Sequence, residues 1–329
     1  MVLPFLAVAL LSVVVFLVSC AGTRALISLL GRRALLDRPN ERSSHTVPTP
    51  RGGGIAVIGA SLAAWLLLCA AGVLPPTTIV VALASGGLAV VSWFDDLGGL
   101  SPAVRLLAQF IAVAAGIWAL PHGTVFQDWL SPGFDAVAAG LLWVWFVNLF
   151  NFMDGIDGIA GSEAAAIGIG IVLVSGTRDY GSSLPATAIA AAALGFLVWN
   201  WAPARIFLGD VGSVPLGYLL GFLLYTLALR GQWQAALILP AYFLADATIT
   251  LLRRLVRGER VWQAHREHFY QHAVQHGLSH AAVVRRVIAA NVVLIACALA
   301  ATHHLGFVAL GVAALIVAVL LVELGRARR

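Results

Sequence analysis

Residues 52–96 read GGGIAVIGASLAAWLLLCAAGVLPPTTIVVALASGGLAVVSWFDD, a run of 43 residues without a charged side chain that ends on two aspartates. A helix crosses the hydrocarbon core of a bilayer with about 20 apolar residues, so this run is long enough for two spans. Pro75-Pro76 divides it. Uncharged runs continue on both sides, at 2–23, 106–127, 136–153, 180–204, 211–229 and 287–322, the last broken at His303-His304. Weaker candidates are 164–177 and 231–252, the second interrupted by Asp246. Lipid leaves no open backbone group satisfied, and the two-residue alternation of a transmembrane barrel is absent. The sequence therefore predicts an all-α integral membrane protein of about eleven (10–11) transmembrane helices, forming one polytopic domain over 1–329.

Composition agrees: 60% of the 329 residues are hydrophobic and 11% charged, against about a quarter charged in a soluble domain. All 20 basic residues are arginine, which rules out a Schiff base or a lysine general base. With the N-terminus periplasmic and the C-terminus cytoplasmic, the cytoplasmic segments are 23–51, 94–105, 151–163, 202–212, 252–286 and the tail. That orientation places 18 of the 20 arginines inside and leaves only Arg178 and Arg230 outside; the positive-inside rule selects it over the reverse. The net charge of +5 then describes a surface at the inner leaflet, and nucleic acid is not an expected partner. Cys20, Cys69 and Cys297 fall within spans, so neither disulfides nor a thiolate metal site is expected. Residues 17–20 (LVSC) have the form of a lipoprotein cleavage box, but the arginines follow the apolar stretch instead of preceding it.

Polar residues gather in five clusters, all on the predicted cytoplasmic side: 37–54, 94–97, 151–158, 207–213 and 257–272. Asp95 and Asp96 are adjacent at a helix end, where two ionised carboxylates call for a cation or a proton between them, unless the end is simply solvated. Asp154 and Asp157 would be neighbours if their segment opens a helix. With Asn151 they offer hard oxygen ligands suited to Mg2+, or alternatively ordinary helix caps. Asp210, at a loop entering a helix, reads the same way. Residues 52–54 (GGG) open a helix that could cradle a phosphate or make a close helix contact. His265, His268, His272 and His276 recur on one helical face, as a phosphate contact or a solvated basic surface. Asp246, inside a span, is either functional or paired with Arg253 or Arg254.

In this order the clusters resemble the polyprenyl-phosphate N-acetylhexosamine-1-phosphate transferase superfamily. The resemblance rests on Asp95-Asp96, NFMDGIDG at 151–158, FLGDVGS at 207–213 and the histidine loop, and it spans roughly 37–280. RSSHTVPTPRGGG at 42–54 and HREHFYQ at 265–271 look closest to the bacterial glycosyltransferase family 4 branch that initiates O-antigen. The lipid-I-forming branch differs, having three consecutive histidines in the last loop and a lysine in the first. The resemblance implies transfer of N-acetylhexosamine 1-phosphate from a UDP-sugar to undecaprenyl (polyprenyl) phosphate, releasing UMP, with Mg2+ (or Mn2+) as cofactor, at the cytoplasmic face of the bacterial inner membrane. A homodimer is compatible with it.

By motif, Asp210 would hold Mg2+ with Asn151, Asp95 would orient or deprotonate the lipid phosphate, and Asp96 would assist the metal. Asp154 and Asp157 would line the nucleotide-sugar pocket with Asn200, while His265 and Arg266 would contact the donor phosphates. His45, Arg51 and His268 complete the candidate substrate-binding set. The alternatives are a phospho-N-acetylmuramoyl-pentapeptide transferase step or a membrane transporter. Against the transporter, the polar clusters lie at one face and no inverted repeat is visible.

Overall fold

The computed structural model describes residues 2–33, 35–37, 47–176, 179–260 and 265–326. Its elements are α1 (Val2–Arg32), β1 (Leu36–Asp37), β2 (Thr49–Pro50), α2 (Gly54–Ala70), α3 (Thr77–Gly98), α4 (Pro102–Ala119), α5 (Pro132–Phe152), α6 (Ile159–Ser175), α7 (Tyr180–Asn200), α8 (Asp210–Leu229), α9 (Trp233–Ile238), α10 (Ala241–Val256), α11 (Phe269–Gln275), α12 (His280–Ala300) and α13 (Gly306–Arg326). Among the described residues seven helical segments are long and apolar enough to cross a membrane, and α2 and α6 are shorter apolar helices. One of the seven is the 47-residue stretch His280–Arg326. It folds as two helices because His303 and His304 leave helical geometry, with His304 at φ 66°. Arg286 near the start of α12 pairs with Glu323 near the end of α13 at 2.5 Å, which makes the two antiparallel. The divisions expected at Pro75-Pro76 and His303-His304 both occur. The expected helix over 231–252 does not run through, breaking at Leu239-Pro240 between α9 and α10.

α8 lies at the centre and is buried almost all round. It can be so because small residues let neighbours approach. Gly217 meets the backbone of Val147, and the Trp143 ring covers Gly221 while its Nε1–H donates to the Tyr218 carbonyl at 3.1 Å. Similarly Gly168 brings α6 against α7, and Gly195 brings α7 against the Phe16 carbonyl of α1. At the rim, α1 turns Leu6, Leu10, Val13 and Leu17 outward, as a helix facing lipid does. One end of the bundle gathers the starts of α2, α4, α6, α8 and α12 with the ends of α3, α5 and α7. All five polar clusters of the sequence contribute to that end.

Candidate active site

The site begins with backbone. After Pro50, whose carbonyl accepts the Phe207 N–H at 2.8 Å, the chain runs alongside the 207–209 segment. Gly52 and Gly53 donate to the Phe207 carbonyl at 3.1 and 2.8 Å, and Gly54 donates to the Leu208 carbonyl at 2.9 Å. The first N–H groups of α2 are thereby satisfied by protein. The phosphate cradle considered for residues 52–54 is thus not formed, and the close helix contact is: Gly54 sits directly against Gly212 of α8. Gly209, at φ 76°, turns the chain into α8 and presents Asp210 at its first position.

Charged side chains from three helices then meet. Asp96 reaches from α3 to cap α8, accepting from the Asp210 N–H at 3.2 Å and the Val211 N–H at 3.0 Å. A carboxylate at a helix N-terminus also meets the positive end of the dipole. Arg51 Nη2 lies 2.9 Å from Asp96 Oδ1 and 2.7 Å from Asp210 Oδ1. Asp95 turns the other way, accepting from Leu100 N–H at 2.5 Å and Arg105 Nη1 at 2.9 Å. Adjacent helix positions do not face each other. Each of the two carboxylates has its own arginine, Arg51 for Asp96 and Arg105 for Asp95. Arg105 Nη1 also lies 4.0 Å from Asp210 Oδ2. Asn151, at the end of α5, shares a hydrogen bond with the Ser213 hydroxyl.

Asp154 stands on the turn between α5 and α6, not on a helix, since α6 starts only at Ile159. Its pKa is raised well above the ordinary carboxylate value, first by burial, then by Asp210, Asp96 and Asp157, against the pull of Arg51. Asp157 faces elsewhere: its Oδ2 accepts from Ala204 N–H at 3.0 Å and lies 3.3 Å from His280 Nδ1. Asn200 is buried, with its amide oxygen accepting from Gly158 N–H and its amide nitrogen donating to the Ile206 carbonyl, both at 2.9 Å. Asp157 and Asn200 therefore tie the 153–158 turn to α12 and to the 200–206 loop, forming the wall behind the carboxylates.

The histidine loop differs from its reading as one helical face. α11 starts at Phe269, so His265 and Arg266 precede it and His268 is its cap residue. The carboxylate of Asp246 explains this. It is wholly buried and accepts from Phe269 N–H (3.1 Å), Tyr270 N–H (3.3 Å), Tyr242 Oη (3.2 Å) and Thr250 Oγ1 (3.3 Å), with His268 Nδ1 at 3.1 Å. Asp246 is thus a remote N-cap of α11. The pairing with Arg253 or Arg254 is not made: Arg254 binds Glu259 at 2.8 Å, and Arg253 lies over the Phe269 ring. Tyr270 Oη donates to the Phe152 carbonyl at 3.1 Å, which docks α11 against the turn that carries Asp154. His265 has its pKa drawn down to about 4 by burial, then by His268 and Arg254, so its imidazole is neutral at pH 7. His45 lies outside the described residues.

Beside Asp210, a cavity of about 200 Å3 runs between α3, α4, α5 and α8; Asp95, Arg105, Gln109, Asn148 and Asn151 line it. Gln109 and Asn148 bond to each other at 2.6 Å. Sequence reading missed Arg105, Ser213, His280 and this carboxamide pair. The available signals were a hydroxyl three residues after Asp210 and two uncharged polar residues inside apolar runs. Among the described residues no three His, Cys, Asp or Glu side chains already form a metal cage. Carboxylate and carboxamide oxygens around an open cavity fit Mg2+, which takes one or two carboxylates and leaves its other positions to water and phosphate.

Comparison with known proteins gives a consistent picture. The family described as "Glycosyl transferase family 4" matches residues 78–228, which include Asp95, Asp96, Asn151, Asp154, Asp157 and Asp210. The probable undecaprenyl-phosphate N-acetylglucosaminyl 1-phosphate transferase of Bacillus subtilis is 28% identical over 289 residues, covering 82% of this chain and 78% of that protein. The decaprenyl-phosphate N-acetylglucosaminephosphotransferase of Mycolicibacterium smegmatis is 30% identical over 283 residues, covering 74% and 69%. A phospho-N-acetylmuramoyl-pentapeptide-transferase of Picosynechococcus is 31% identical over 225 residues, covering 60% and 58%.

Proposed function

The chain belongs to glycosyl transferase family 4, and on that premise we propose that it transfers N-acetylhexosamine 1-phosphate from a UDP-sugar to polyprenyl phosphate, with UDP-N-acetylglucosamine the first donor to test. In this reading the reaction starts a cell-surface polysaccharide such as O-antigen. The protein crosses the bacterial inner membrane about eleven times with its N-terminus outside, and the site faces the cytoplasm. The observation that carries the reading is the convergence of Asp96, Asp154 and Asp210 with Arg51 and Arg105 at one end of the bundle.

An oxygen of the lipid phosphate attacks the sugar-linked phosphorus; a new P–O bond forms to the acceptor, and the bond to the bridging oxygen of UMP breaks. Both reactants are anions, so the protein's work is to hold them together and stabilise the leaving charge. Arg51 and Arg105 supply permanently charged donors for phosphate oxygens. A phosphate monoester has its second pKa at about 6, so the acceptor is largely dianionic at neutral pH and needs little help from a base. Asp95 then orients more than it deprotonates. Asp210 and Asn151 would hold Mg2+, which supplies charge neutralisation on the transferred phosphoryl group. Asp154 borders the donor pocket, and the polyprenyl tail would lie in an apolar groove. An apolar groove between α5, α8 and α9–α10, lined by Trp145, Phe146, Tyr225, Pro240 and Leu244, lies toward the end of α8 remote from Asp210 and would meet only the distal part of such a tail.

The test is UMP release by purified protein with undecaprenyl phosphate, Mg2+ and a panel of UDP-sugars, including the muramoyl-pentapeptide donor. We expect release from a UDP-N-acetylhexosamine, and its loss in Asp210→Ala and in chelator. Full turnover without divalent cation, or no release from any amino-sugar donor, overturns the reading.

A further inference from the structure

The residue that would take the cation is already facing one. Asp210 Oδ1 lies 2.7 Å from Arg51 Nη2, and the same nitrogen is 2.9 Å from Asp96 Oδ1. Asp210 Oδ2 lies at a looser 4.0 Å from Arg105. We infer that Arg51 and a divalent cation compete for the same oxygen of Asp210, so that Arg51 sets the cation affinity of the site and is free to grip a phosphate only once the cation is in place.

Three observations support this. First, a charge-assisted N–H···O bond at this distance and a metal–oxygen bond draw on the same face of the carboxylate. Two cations a few ångström apart in a partly buried site also repel each other strongly. Second, the Arg51 backbone is held by its bridge to Phe207, whereas its side chain keeps 36% of its surface exposed. The guanidinium can therefore swing without disturbing the 52–54 docking. Third, among the described residues the arginines paired with Asp95, Asp96, Asp154 and Asp210 are Arg51 and Arg105. The carboxylates outnumber the guanidinium groups, so a divalent cation would relieve their mutual repulsion. Both arginines and a divalent cation would fit there, and Arg51 and the cation draw on the same oxygen of Asp210, where each weakens the hold of the other by charge repulsion. Binding of cation and of an anionic diphosphate is consequently cooperative, because the first frees a donor for the second.

This inference rests on the placement of Mg2+ at Asp210 in the proposed function, and the experiment separates the two. Mg2+ isotherms are measured by calorimetry on the full chain in detergent without substrate, for the native protein and for Arg51→Gln, Arg105→Gln and Asp210→Asn. Competition predicts that Arg51→Gln tightens Mg2+ binding by about tenfold, or about 1.4 kcal/mol. Arg105→Gln removes an equal charge without releasing Asp210 Oδ1 and should tighten it less. Equal or smaller tightening in Arg51→Gln than in Arg105→Gln overturns the competition while leaving the cation site intact. Equal Mg2+ binding by native protein and Asp210→Asn overturns the cation placement itself. A second readout needs no variant: phenylglyoxal labelling of Arg51 in the native protein, followed by peptide mass spectrometry, should increase when Mg2+ is added. Unchanged or reduced labelling also overturns the competition.

Discussion

Gly54→Ala is the substitution that most directly tests whether the α2–α8 contact builds the site. A Cβ at position 54 would lie 2.2 Å from Gly212 Cα, 2.3 Å from Gly212 N and 3.0 Å from the Leu208 carbonyl. All three are backbone atoms, so no side chain can rotate away. Ordinary contact begins at 3.4 Å, and against 2.2 Å the shortfall is about 1.2 Å; α2 and α8 must part by roughly that much. Arg51 and Asp210 lie three and two residues from the points of contact, so the parting reaches the 2.7 Å bond between them. Overpacking of this kind costs about 1–3 kcal/mol of stability. A misplacement of about 1 Å in a catalytic constellation costs on the order of 100-fold in rate. UMP release by Gly54→Ala should therefore fall about 100-fold in protein that still elutes as a folded species. Gly59→Ala is the control on the same helix, since a Cβ there meets nothing within 4 Å. It should keep native turnover at equal or slightly higher stability. Near-native turnover by folded Gly54→Ala would show that the docking of residues 51–54 on 207–212 does not position the catalytic groups.

Asp246→Ala should lower stability by about 3–5 kcal/mol, as loss of one partner from a buried charged network does, and should raise hydrogen exchange at the Phe269 and Tyr270 amides; native protection there would exclude Asp246 as the cap of α11. Because His265 is neutral at pH 7, donor KM should show no titration due to His265 between about pH 6 and 8, where an unperturbed imidazole titrates near 6.5. His265→Gln should also retain more donor affinity than His265→Ala, and a KM that rises with an apparent pKa near 6.5 and flattens in His265→Gln would contradict this. Asp154 has a folded pKa above its unfolded one, so its ionisation weakens the fold as pH climbs from the unfolded to the folded value. In chelator, Asp154→Asn should therefore melt higher than the native protein at neutral and alkaline pH, with the gain disappearing in acid; an equal gain at every pH would mean the effect is not ionic.

Apolar length was the most legible feature. Spans of 18 or more residues with prolines or glycines at their ends leave few choices in lipid, and the divisions at Pro75-Pro76 and His303-His304 were readable for that reason. The break at Leu239-Pro240 was not, because Asp246 drew attention as the polar interruption of 231–252. Spacing proved a weaker guide than length. The intervals from His265 to His276 have a helical period, yet α11 begins at Phe269 because a carboxylate on α10 supplies its cap. Asp154 and Asp157 look like helical neighbours, yet both precede α6, and Gly158 at φ 83° sets the helix start after them. At α11 a long-range bond fixed where the helix began, and no local pattern contains it.

Which residue types gather at this end of the bundle was visible in the sequence, while their wiring was not. Arg105 went unnoticed because a single arginine just past a helix end is what the positive-inside rule leads one to expect. The larger surprise lies in the helix starts. α2 and α8 both begin at the site, and either could in principle offer bare N–H groups to a phosphate. Neither does: Gly52, Gly53 and Gly54 donate to the carbonyls of Phe207 and Leu208, and the first amides of α8 donate to Asp96. At these two helices the backbone serves to join segments, so it contributes no cradle for the anionic substrates. In the proposed reaction, positive charge for the two phosphate-bearing reactants would come instead from guanidinium groups and a divalent cation, both of which can move or exchange during a reaction cycle. A site made this way can release a charged product by loosening a side chain, without unwinding a helix.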